Sequence, residues 1–198
     1  TDTAQLAPSV RALFHAVSSH LSADEVAELG SAVAHDAAAW ACAYGVGRDV
    51  TSLVCERNIL RYRPTPVLVR AGSGTTLVDT VRVLAAGVLA GGPIGLSLAD
   101  ALPPSVADFL ESLDIEVTVE DEASWDSRLT LVANSGGLGM RVRVLGPREE
   151  SSQDRWERAS RVSMGSPDVA LYTGDVTSCP HAELLPFLRE QAVSITNH

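Results

Sequence analysis

The chain has 198 residues, 45% of them hydrophobic, which is ample for a buried core, and a net charge of −10 that argues against a nucleic-acid footprint, since phosphate binding needs a basic face. All fifteen basic residues are arginine, which excludes a Schiff-base lysine, a phosphate-loop lysine and a lysine general base within the chain. Apolar runs break off well short of the roughly 20 residues a membrane span needs, and no basic segment precedes an apolar leader, so a cytoplasmic globular protein is expected.

The N-terminal segment reads as helical, because Val10, Leu13, Phe14, Val17 and Leu21 recur at steps of three and four after Pro8. Ser22 and Glu25 have the spacing of a capping box and open a second run carrying Val26, Leu29, Val33, Ala37 and Trp40. Together they make a helical hairpin, ended by Gly45 and Gly47, and residues 48–58 read as a connector. The run ERNILRYRP, residues 56–64, then sets Arg57, Arg61 and Arg63 beside Glu56, Asn58 and Tyr62. Planar arginine forks suit carboxylates and phosphates, while Pro64 and Pro66 bias the backbone toward an extended lead into the next strand.

From Pro66 onward strands alternate with helices, which favours βαβ units and a parallel sheet. The pattern predicts strands at 67–70, 94–98, 115–119, 141–145 and 169–172, with 192–196 as a final extended segment. Helices are predicted over 77–88, stopped by Gly91 and Gly92; from Pro103 to Leu113; over 125–132; and over 181–189, interrupted by Pro186. Asn134 to Gly139 reads as a flexible glycine-rich loop, and the polar residues 146–167 as a solvated helix or mobile loop. Alternation of Arg141 and Arg143 with apolar residues suggests that one face or edge of their strand stays wet.

Few residues carry a recognisable chemistry. Gly72, Ser73 and Gly74 follow the first parallel strand but lack the third glycine of a dinucleotide fingerprint, so a tight turn explains them as well as a phosphate site does. Asp121, or its neighbour Glu122, could face a ribose hydroxyl, or simply cap the next helix. Cys179 and His181 stand two residues apart, a spacing that rarely aims a thiol and a base at one atom, so a structural cysteine is the preferred reading. Cys42, Cys55 and Cys179 form neither a CxxC site nor an even disulfide set, and the five histidines show no paired-ligand spacing, so reduced thiols and no metal are expected. Trp156, within the polar segment, is a candidate interface residue.

The run ERNILRYRP, taken with the ending LLPFLREQAVSITNH at residues 184–198, resembles the C-terminal region of the long proline utilization A enzymes, bifunctional proline dehydrogenases and L-glutamate γ-semialdehyde dehydrogenases. That resemblance implies a Rossmann-like domain of the aldehyde dehydrogenase superfamily over residues 59–198, with an open, mostly parallel sheet of about five to six strands, flanking helices and a docking tail at 184–198. The helical hairpin and connector, 1–58, would precede it. It further implies a non-catalytic lid that encloses a substrate-channelling tunnel. FAD and NAD would belong to the parent enzyme and no cofactor to this segment, whose partners would be the catalytic domains of the same polypeptide, with a homo-oligomer as a further option. Docking would fall to Glu56, Arg57, Asn58, Arg61, Tyr62 and Arg63, and to Phe187, Arg189, Glu190, Gln191 and Ser194. The alternatives are an NAD-binding dehydrogenase domain, using Gly72 to Thr76 and Asp121 or Glu122, and an oligomerisation domain.

Overall fold

The computed structural model describes residues 5–51, 56–135 and 139–196. Helix α1 (Pro8–Ser18) begins at a proline whose missing N–H costs nothing in a first turn. Helix α2 (Ala23–Ala39) opens on the expected capping box, in which the Ser22 side chain and the Glu25 carboxylate each satisfy the other's backbone N–H. It ends in a π-helical turn, Trp40–Tyr44.

Residues 48–58, expected as a connector, are instead largely strand where described. Strands β1 (Arg48–Asp49) and β2 (Glu56–Pro64) are followed closely by β3 (Val67–Ala71). The chain continues through α3 (Leu77–Ala90), β4 (Ile94–Leu98), α4 (Pro104–Glu111), β5 (Glu116–Val119), α5 (Glu122–Asn134) and β6 (Met140–Leu145). It closes with α6 (Ser152–Val162), β7 (Val169–Tyr172), α7 (Pro180–Leu184), a short 3-10 turn and β8 (Leu188–Thr196). Of the glycine-rich loop expected after α5, residues 136–138 lie outside the described residues, as does Cys55.

Five strands form a wholly parallel sheet in the order β5-β4-β3-β6-β7. The expected α/β class is therefore present, with helices on both faces. One face carries α5 and α6 through Trp125, Leu129 and Ala159 packed against Val142 and Val144. The other is thicker. Helix α3 lies on the sheet there and is itself covered by α1, α2 and α7, so nearly its whole circumference is buried, from Val78 through Ala86. A helix buried nearly all round needs cover on both sides, which this layering supplies, while its two charges are paired, Arg82 with Asp36 and Asp79 with Arg148. Leu13 and Val17 of α1 are fully buried in the same core as Val69 and Leu84, each worth about 1.5–3 kcal/mol relative to exposure. The division expected between residues 58 and 59 falls inside β2, and the N-terminal helices share the sheet's core.

The last strand does not join that sheet. β8 pairs antiparallel with β2 in an unbroken register from Glu56↔Thr196 to Pro64↔Leu188, and β1 adds to the far side of β2. The two segments that carry the family resemblance are thus partners in one three-stranded arm. The wet face expected at Arg141 and Arg143 is also replaced. Arg143 is buried, and Arg141 donates from Nη1 to the carbonyls of Leu185 at 2.9 Å and Pro186 at 3.1 Å, tying β6 to the segment that leads into the arm.

Candidate functional site

In a doubly wound sheet the ligand crevice lies beyond the carboxyl ends of the strands where the order reverses. Here that place is between β3 and β6. A cavity of about 200 Å³ opens there, its wall including Arg70, Gly72, Ser73, Glu122, Asp126 and Arg158.

Each arginine of the crevice is already paired with a carboxylate of the chain. Arg70, 1% exposed near the end of β3, donates to Ser97 Oγ at 2.8 Å, to the Glu120 carbonyl at 3.1 Å and to Glu122 Oε1 at 2.7 Å. Its guanidinium lies 5.4 Å from the centre of the Trp125 ring, a cation–π contact that the apolar wall strengthens. Arg155 pairs with Asp175 and also donates to the Thr173 carbonyl at 3.1 Å, and Arg158 pairs with Glu150. Burial, then the neighbouring Glu122 charge, pushes the Asp126 carboxyl above the usual aspartate range.

The glycine turn is occupied as well. The Gly72 N–H donates to the Leu145 carbonyl at 3.1 Å, that of Gly74 to Asp100 Oδ2 at 3.1 Å, and that of Thr75 to the Gly72 carbonyl at 3.1 Å. Gly74 sits at φ +76°, where an L side chain is strained, so the turn itself requires that glycine. Thr76 caps α3, and Arg148 forks onto Asp79 at 3.0 and 3.1 Å in its first turn. Asp121 is the N-cap of α5, its carboxylate accepting the Ser124 N–H at 2.8 Å. It is not part of the cavity wall; Glu122 is.

Gly72, Gly74 and Thr75 therefore offer no free backbone N–H to the pyrophosphate of a dinucleotide. A phosphate cradle needs unspent backbone donors, whereas these three N–H groups donate within the chain, and an entering anion would meet Glu122, Asp126 and Glu150. Titration calorimetry of the chain with NAD is expected to give no saturable heat at millimolar cofactor; a saturating isotherm would overturn this reading. The capping assignment has its own test. Backbone and side-chain hydrogen bonds from Ser124 hold the Asp121 carboxyl below its ordinary 3.8. A depressed folded pKa stabilises above the unfolded value and is lost as pH falls through the folded one. Asp121→Ala should therefore lower Tm slightly at pH 7, with the deficit shrinking under acid conditions.

No hydrogen bond joins Cys179 and His181. His181 Nδ1 lies 2.8 Å from the Tyr44 hydroxyl, while Cys179 is exposed at the start of α7. Among the described residues no group of three His, Cys, Asp or Glu side chains could hold a metal ion. No described helix is long and apolar enough to cross a membrane.

Ten of the eleven residues expected to dock come together on the arm. Glu56, Arg57, Asn58, Arg61, Tyr62 and Arg63 lie on β2, and Arg189, Glu190, Gln191 and Ser194 on β8. Several are paired across the ladder: Arg61 Nε donates to Gln191 Oε1 at 2.8 Å, the Tyr62 hydroxyl to Glu190 at 3.2 Å, and the Ser194 hydroxyl to Glu56. Asn58 reaches Thr51 Oγ1 at 3.1 Å. Phe187 is the exception. It is fully buried, packed against Gly87 and Ile94 inside the domain, because the chain needs an apolar plug where it turns from α7 into β8.

The residues that sequence reasoning missed are Arg70, Asp126, Glu150, Arg155 and Arg158 at the crevice. Only Arg70 left a signal, as a charge inside an otherwise apolar parallel strand.

No protein-family model matches the sequence, and neither does any curated protein. Among solved structures, the chain is similar to proline utilization A (PutA) from Corynebacterium freiburgense, at 24% identity and a TM-score of 0.57 over 98% of this chain and 15% of that one. A PutA structure with proline bound in remote sites is similar at 17% identity and a TM-score of 0.53, over 75% of this chain and 15% of that one. A mutant of Bradyrhizobium japonicum PutA gives 17% and 0.53, over 74% and 15%. The chain thus spans about 15% of the length of those proteins, and what it shares with them is a fold: a parallel five-stranded sheet between layers of helices.

Proposed function

We propose that the chain is a non-catalytic, aldehyde-dehydrogenase-like domain of a larger proline-catabolic oxidoreductase, where it closes the tunnel that carries the intermediate between two active sites. The parent would hold FAD in its proline dehydrogenase and NAD in its L-glutamate γ-semialdehyde dehydrogenase. One observation carries the reading: the two segments that resemble the family pair with each other along nine residues, in an arm that leaves the domain body. A body whose crevice arginines are already paired within the chain, bearing a long exposed arm, is suited to holding onto a neighbour.

In this reading the body supplies shape and the arm supplies attachment. Arg141 and Phe187 fix the base of β8 to the body, so the arm's direction is set by the fold. Deleting residues 188–196 from the full-length parent should lower proline-to-glutamate flux more than either half-reaction. Equal losses in all three would sink the proposal. The outer edge of β8 has no strand partner among the described residues, which also favours a second copy adding there. Sedimentation equilibrium distinguishes that case by a concentration-dependent mass.

A further inference from the structure

The antiparallel register of β2 and β8 sorts the side chains of the arm onto two faces. Arg57, Ile59, Arg61 and Arg63 share one face with their register partners Ile195, Val193, Gln191 and Arg189. Glu56 and Glu190 lie on the other face, so these two strands offer four arginines and no carboxylate on this side. Asp49 of β1, the register partner of Ile59, adds one carboxylate to this face of the arm and accepts the backbone N–H groups of Thr51 and Asn58.

Two features of this face suit it to a partner. Arg63 stands directly opposite Arg189, a like-charge cross-strand pair that destabilises a sheet. Among the described residues, the side chains of Arg57, Arg63 and Arg189 have no hydrogen-bond or ion-pair partner. Between the arginines, Ile59, Val193 and Ile195 form an aliphatic stripe, with Ile195 45% exposed. In a chain of net charge −10, a basic, apolar-centred face is a local arrangement that bulk composition does not account for.

We infer that this face receives an acidic protein surface, with carboxylates of the catalytic part of the same polypeptide set against Arg63 and Arg189 over the aliphatic stripe. The inference rests on the docking reading above and names the chemistry of the contact. Arginine forks bind carboxylates in two parallel bonds, and covering the stripe removes the water that screens such pairs. A nucleic acid is disfavoured, because the remaining surface of so acidic a chain repels a phosphate backbone.

The absence of lysine makes the test clean. Arg63→Lys and Arg189→Lys keep the charge and introduce the only side-chain amines in these 198 residues. In the full-length parent, zero-length carbodiimide coupling followed by peptide mass spectrometry should join position 63 or 189 to an Asp or Glu outside this segment. The yield should be several-fold above that of an Arg161→Lys control on the exposed side of α6. Links confined to this segment, or links between isotopically distinct copies, would overturn the inference. So would a yield no higher than the control, as a solvated face or a nucleic-acid partner would give. Flux after deletion of β8 tests the parent reading separately. Intact flux with a persisting link removes the channelling role and leaves the acidic contact; lost flux without a link does the reverse.

Discussion

Glu183→Ala is expected to cost about 3–5 kcal/mol of folding stability, the loss typical when one member of a buried ion pair is removed. Glu183 is fully buried, and both of its oxygens accept from Arg143 Nη2, at 3.1 and 3.3 Å. Its carboxylate also accepts the Thr177 N–H at 3.0 Å. Without it the Arg143 guanidinium keeps the Gly174 carbonyl at 2.7 Å but has no counter-charge in a site that excludes water. The pair also holds the chain between β7 and α7 against the sheet. Arg82 grips the same segment through the Thr177 carbonyl at 3.0 Å while its fork engages Asp36 at 2.6 and 3.0 Å. Burial keeps the Asp36 carboxyl above the usual aspartate range, although Arg82 pulls the other way. Urea unfolding measures the loss; a shift under about 1 kcal/mol would mean that water reaches the pair. Replacing both partners, by Arg143→Met with Glu183→Leu, should be far milder than the single change, since no charge is then stranded.

Phe187→Ala should cost about 3–5 kcal/mol through the cavity it leaves. The ring is fully buried against α3 at Gly87, where an added Cβ would come within 2.6 Å of Phe187 Cε1 and of Ile94 Cδ1. Gly87 is therefore the notch that admits the ring. The Phe187 carbonyl also accepts the Thr65 N–H at 3.0 Å, joining the start of β8 to the link between β2 and β3. Truncating the ring should loosen the base of the arm as well as the core. Hydrogen exchange across residues 188–196 should then quicken beyond what the global loss of stability explains. Unchanged relative protection there would show that the arm is held independently of Phe187.

Most of the parallel sheet was legible in the sequence because its strands are short apolar runs bounded by glycine and proline, and its helices repeat at 3.6 residues. Asp121 was legible as a cap, since an acid just before an apolar-periodic run serves a helix start whatever the fold. The arm was not legible as an arm. ERNILRYRP and LREQAVSIT show no clean alternation of buried and exposed positions, because neither face is fully covered by the body. Their pairing joins segments far apart in the chain, which no local pattern encodes. Buried arginines were hidden for a different reason. Arg70, Arg82, Arg143 and Arg155 are each at most 4% exposed, yet an arginine is a core residue only once its carboxylate is placed beside it. Those partners, Glu122, Asp36, Glu183 and Asp175, come from other elements. Phe187 belongs to the segment that resembles a docking tail, but the first residues of that segment anchor the tail in the core and only those after Leu188 are exposed to a partner.

The channelling role is tested most directly by the lag before NADH appears when the full-length parent is given proline as sole substrate. With the arm intact, NADH formation should begin without a lag, because the intermediate is passed on inside a closed tunnel. With residues 188–196 deleted, a lag should appear while each half-reaction, assayed with its own substrate, keeps its rate. An unchanged time course after the deletion, or a fall in both half-reactions equal to the fall in coupled flux, would contradict the account.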